Sequence, residues 1–143
     1  MGNKVEKIVH DDELIAIIIQ ADYRKDGIEF FTSDNYSQQL AYMKRPAGYK
    51  IEPHVHNRIR REVLYTQEVL FIRKGKVKVD FYNSDLNFID SQVLHTGDVI
   101  LLASGGHAFE ILEETEMIEV KQGPYAGEED KIRFSPLTKI TSS

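Results

Sequence analysis

Two histidines stand one residue apart in His54-Val55-His56, and further along a carboxylate, Glu68, opens the apolar run Val69-Leu70-Phe71-Ile72. On a β-strand, residues two apart face the same way, so both imidazoles of such a pair converge on one point. A bare His-x-His arises readily by chance and is more often polar surface than a metal site. The carboxylate sharpens the signal, because a charged group among apolar neighbours is costly to bury unless something positive receives it. Glu62 is a rival carboxylate nearer the pair. It lacks the apolar strand that follows Glu68, and Gln67 falls on the opposite face.

The elements that must position these residues read as strands. Residues 14–19 are dense in β-branched side chains and predict a strand, despite the helix-like Asp-Asp-Glu before them. Residues 28–32 and 39–44 follow the same logic, the second ending at Pro46-Ala47-Gly48. Alternation is clearest where Val77, Val79 and Phe81 point one way and Lys76, Lys78, Asp80 and Tyr82 the other. Strands are further expected over 88–94, 98–102, 107–112 and 117–122, separated by Asn83-Ser84-Asp85, Thr96-Gly97 and Gly105-Gly106. Short strands with turns this frequent indicate an all-β sandwich or barrel. The run after Glu68 is apolar on both faces and needs outside cover, from the N-terminal strands or from a second subunit.

Order and spacing around these residues resemble the two motifs of the cupin superfamily. Gly48 is followed by five residues and His54-Val55-His56, and Glu68 by six residues and Gly75, as in the first motif. Gly97 is followed by five residues, then Ala103-Ser104-Gly105 and, after Gly106, His107, as in the second. Ala103 replaces the motif's proline, one residue fewer precedes His107, and Ile111 stands near the motif's final asparagine. The resemblance implies an all-β cupin fold, a double-stranded β-helix or jelly-roll barrel. Residues 1–143 form a single domain, with the motifs within 48–120, N-terminal strands in 1–45 and a charged tail over 126–143. It also implies one divalent metal ion on His54, His56, Glu68 and His107. Three imidazoles and a carboxylate suit iron, nickel, manganese, cobalt, copper or zinc, and leave about two octahedral positions open for water or substrate.

The family carries isomerases, epimerases, dioxygenases and decarboxylases on closely similar barrels, so fold does not select the reaction. The expected function is metal-assisted isomerisation or oxygenation of a small polar molecule. The alternatives are a non-catalytic ligand-binding or sensor barrel, and a metal-free barrel resembling sugar-nucleotide epimerases.

Between His56 and Glu68 lie eleven residues, longer than the motif's gap, and they include Arg58, Arg60, Arg61 and Tyr65. A charged hairpin tip is the ordinary reading of such a run. The sharper one is a lid whose guanidinium groups recruit an anionic, sugar-like substrate. Glu119 and Lys121 read as an outer polar face, and His10 and His95 as surface.

Composition bounds the rest. With no cysteine there is no disulfide, thiolate site, iron–sulfur cluster or cysteine nucleophile. A net charge of -5 gives no general attraction to nucleic acid or anionic membrane. The apolar run 14–19 is far too short to span a bilayer, and residues 1–6 lack a signal peptide's apolar stretch. A cytoplasmic homodimer that binds a small molecule is the expectation.

Overall fold

The computed structural model describes residues 4–135 as an all-β chain with one short 3-10 turn, Gly127–Asp130. Its strands are β1 (Val5–His10), β2 (Glu13–Ile19), β3 (Gly27–Phe30), β4 (Ala41–Lys44), β5 (Glu68–Tyr82), β6 (Phe88–His95), β7 (Val99–Leu102) and β8 (Gly106–Lys121). Six of them make one curled antiparallel sheet, a half-barrel, in the order β1-β2-β7-β5-β6 with β8 paired to β5. β3 and β4 form a separate hairpin.

β1 lies in the charged N-terminal stretch, where no strand was expected. Its partner is reached through Asp11 and Asp12, both at positive φ (48° and 65°), with His10 opposite Glu13. Two left-handed residues make the tight turn whose twist suits a hairpin. The Asp-Asp that looked like a helix start is therefore the turn that sends β2 back.

β2 and β7 lie inside the sheet and are buried on both faces, which is why they read as unbroken apolar runs. On one face Ile18, Leu70, Ile72, Val77, Val79, Phe81, Ile100 and Leu102 form the main core. On the other, Ile17, Ile19 and Leu101 pack under Phe31 and Leu40, which flank the β3–β4 hairpin, with Val69 half-buried against them. The residues around the β3–β4 hairpin thus cover Val69. Phe71, on the same face, stays 47% exposed.

β5 is one continuous strand where the sequence suggested two, and so is β8 across 106–121. Their ladder runs from Glu68 opposite Lys121 to Tyr82 opposite Gly106, with register shifts around Lys74 and Lys76. Gly75 takes up the irregularity at φ 116°, and a Cβ there would collide with the Glu114 carbonyl and Thr115. Thr115 Oγ1 accepts from the Lys76 amide at 3.1 Å, and the Gly75 amide donates to Thr96 Oγ1 at 2.9 Å, so both flanks of the bulge are fixed. No helix among the described residues is long and apolar enough to cross a membrane.

Candidate functional site

Glu68 is the first residue of β5 and His107 the second of β8, at opposite ends of the ladder they share. The curl of the sheet brings them together, with His107 Nε2 3.8 Å from Glu68 Oε1. Their side chains are 15% (Glu68) and 29% (His107) exposed. Gly105, at φ 73°, lets β8 start there, since a Cβ would overlap the Tyr82 carbonyl.

Register supplies two further members. Glu68 opposes Lys121 and Leu70 opposes Glu119, and opposed residues of an antiparallel pair project to the same side. Glu119 and Lys121 therefore share the face of Glu68 and do not form the outer polar face expected of them. Lys121 Nζ lies 3.6 Å from Glu119 Oε1. Alternation had suggested two faces correctly but could not say which one Glu68 would choose.

Burial is the main reason the Glu68 carboxyl is pushed up to about 7. A hydrogen bond and charge repulsion from Glu119 add to it, while Lys121 and Lys131 oppose it. Burial also holds His107 below the usual imidazole range, helped by Lys131 and Lys121 and opposed by Glu119. The 3.8 Å contact is thus one between a neutral imidazole and a carboxyl that keeps its proton well toward neutral pH, not an ion pair. Such a couple can donate and accept a proton near pH 7.

His54 and His56 are placed differently. The whole segment 45–67 is free of regular structure, so the His-x-His is not on a strand and the expected hairpin is absent. The two rings meet edge to face, centroids 5.4 Å apart, and both are exposed. His54 Nδ1 lies 2.9 Å from the Glu52 carbonyl. Among the described residues no group of three or more His, Asp or Glu side chains is arranged to hold a metal ion. The donors expected together are two pairs: Glu68 with His107, and His54 with His56.

Arg58, Arg60, Arg61 and Tyr65 are likewise exposed, and none of the three arginines forms an ion pair with a described residue. The end of their segment is nonetheless fixed beside Glu68. The Thr66 hydroxyl bonds to Asp130, and the Gln67 side chain bonds to Ser37, the Gln38 amide and the Ala103 carbonyl. The first half of the segment carries a regularity of its own. From 49 to 56, Tyr49, Ile51, Pro53 and Val55 alternate with Lys50, Glu52, His54 and His56, and Asn57, Arg61 and Leu64 break the pattern beyond. This is the period of a half-buried strand. Among the described residues β8 is paired only with β5, along one of its edges.

Among the described residues two clefts lie beside the sheet. The larger, about 300 Å³, is lined by Glu6, Asp22, Gln92, His95 and Asp98, away from Glu68. Asp98 has a structural task there, accepting from the Ala21 and His95 amides at 2.8 Å each. The smaller, about 180 Å³, starts at Lys121. No protein-family model, curated protein or solved structure matches the chain.

Proposed function

We propose that the chain is a metal-binding barrel of the cupin, jelly-roll kind that acts on a small polar molecule. The observation that carries this reading is the contact of Glu68 with His107. A carboxyl and an imidazole, both largely buried and 3.8 Å apart, are the kinds of donor that a borderline divalent ion takes. The donor set fits a borderline divalent ion. Glu68 and His107 would hold it from the sheet, and His54 and His56 would join from the segment whose end is fixed at Gln67. An Nδ1–H committed to the Glu52 carbonyl leaves His54 Nε2 as its ligating nitrogen.

A bound ion would supply Lewis-acid polarisation of a substrate oxygen. The chain's own residues supply the rest. Glu119, hydrogen-bonded to Glu68, orients that carboxyl and can share its proton. Lys121 offsets part of the negative charge. The metal-free alternative rests on the same pair, since a carboxyl pushed up to about 7 beside an imidazole held below its usual range can exchange a proton with a substrate.

Elemental analysis and titration with Mn²⁺, Ni²⁺ and Zn²⁺ decide between them. Wild type is expected to take up about one ion per chain, with Glu68→Gln, His107→Ala and His54→Ala each lowering affinity at least about tenfold. Undiminished uptake in all three variants would sink the metal assignment. Absent uptake, with turnover of a sugar nucleotide abolished by Glu68→Gln, would favour the metal-free couple.

A further inference from the structure

Beyond β8, residues 122–135 return along the sheet through the 3-10 turn Gly127–Asp130, and they run from one member of the candidate pair to the other. Asp130 accepts from the Thr66 hydroxyl, two residues before Glu68. Phe134 stands edge-on to Tyr82, ring centroids 5.0 Å apart at 88°, and lies against Gly106, the first residue of β8. His107 follows directly. Between these two ties lies Lys131, close enough for its charge to bear on both Glu68 and His107.

The second glycine of Gly105-Gly106 has its reason here. Gly106 is outside the left-handed region that Gly105 occupies, but a Cβ on it would stand 2.9 Å and 3.1 Å from ring atoms of Phe134. The ring fills the space that a side chain at 106 would take. The stretch between the two ties is lightly held by comparison. No residue of the 3-10 turn is buried, Ile132 is 86% exposed, and Arg133 reaches back to Glu128 within the same stretch at 3.2 Å. The cleft of about 180 Å³ is lined by residues of 121–131 alone, so the turn arches over space of its own instead of packing on the sheet. A segment fixed near its ends and with few buried contacts opens at low cost.

We propose that residues 130–134 form a strap closed over the Glu68–His107 pair, latched by the Phe134 ring against Tyr82 and Gly106 and lifted to admit the substrate. The proposal rests on the reading that this pair marks the reacting end. Closed, the strap keeps water from the pair; lifted, it opens His107 to solvent and ligand. Phe134 acts by holding the strap and touches no reacting atom.

Carbethoxylation of imidazoles by diethyl pyrocarbonate, mapped by mass spectrometry, reads the exposure of each of the five histidines. The full chain, freed of metal by a chelator, is treated at slightly alkaline pH, where imidazoles are neutral. Exposed His56 is the internal reference. In wild type His107 is expected to react at least about tenfold more slowly than His56, because reaction waits for the strap to open. Phe134→Ala removes the latch, and Gly106→Ala puts a Cβ in the place of its ring. Each should speed His107 relative to His56 at least about fivefold. Phe134→Leu keeps an apolar side chain there and should stay near wild type. The two opening variants act from opposite sides of one contact, so if amide spectra show one unfolded, the other decides.

A wild-type His107 that reacts as fast as His56 overturns the strap, and so does a His107 rate unchanged in the folded opening variants. Uptake of Ni²⁺ by the same proteins keeps the strap apart from the reading beneath it. Faster uptake in the opening variants, at unchanged stoichiometry, supports both. No uptake in any form, with His107 still unmasked by the variants, supports the strap and removes the metal assignment.

Discussion

At the scale of single residues, Glu68 decides most. Its carboxyl is held at about 7 in the fold, against an ordinary 4.5, chiefly by burial. An acid with a raised folded value costs nothing while it is protonated in both states. As pH rises from about 4.5 to 7, the unfolded chain releases the proton and the folded one keeps it, so stability falls. Above that window the full penalty, on the order of 3 kcal/mol, is present. His107 acts in the opposite sense. Its folded value is lowered, so its contribution is complete above the ordinary imidazole range and is lost as pH falls below it. Glu68→Gln is therefore expected to raise the melting temperature at pH 8, to change it little at pH 4, and to leave the His107 slope in place. Melts at pH 4, 6 and 8 check this, and equal effects at both extremes would show that Glu68 is not desolvated. The sequence made Glu68 legible through its apolar neighbours. It could not reveal Glu119 and Lys121, because a polar residue on an alternating strand has no sign of which face is wet until the partner's register is known.

At the scale of elements, the bulge at Gly75 holds the two long strands in their register. The chain there has φ 116°, and a side chain would meet the Glu114 backbone and Thr115. Gly75→Ala is expected to cost at least ~2 kcal/mol, combining backbone strain with overlap that a rigid ladder relieves poorly. Urea unfolding measures it, and Thr115→Val should cost less, since it removes only the hydroxyl contact with Lys76. Gly105 was legible as part of a turn and Gly75 as the glycine that ends the first motif, but their tasks were not. One absorbs a bulge inside what became a single strand, the other lets β8 begin beside Tyr82. The same physics explains why two expected strand pairs fused. Punctuation ends a strand only when the partner also turns, and here β5 and β8 bend together. The converse failure is the stretch 49–56, whose period-two pattern has the form of a strand. A strand needs a ladder as well as a pattern, because its backbone groups must be paired. Within the described residues this segment has none.

At the scale of the whole molecule, an all-β architecture was legible from turn frequency and alternation, and of the doubly apolar run after Glu68, expected to need outside cover, Val69 has that cover and Phe71 does not. What covers the far end of that outer face is argued by exposure. Phe71 lies opposite Ile118, and Val69 opposite Val120, so Phe71, Ile118 and Val120 form one patch. They are 47%, 51% and 53% exposed, respectively. Large apolar side chains grouped in this way mark an interaction surface. Strand-to-strand addition along the β8 edge is disfavoured for a second copy, because Glu110, Glu113, Glu114, Glu116 and Glu119 would confront their own equivalents. Face-to-face packing about a two-fold axis escapes that repulsion and buries the patch against itself. The expected outcome is a homodimer at micromolar concentration by light scattering, insensitive to added salt because its centre is apolar. Ile118→Lys should shift it toward monomer by placing a charge in a desolvated centre, with little effect on folding of a side chain already half exposed. A wild type that stays monomeric up to about 100 μM, a concentration well above the Kd of ordinary specific interfaces, would assign this patch to some other partner.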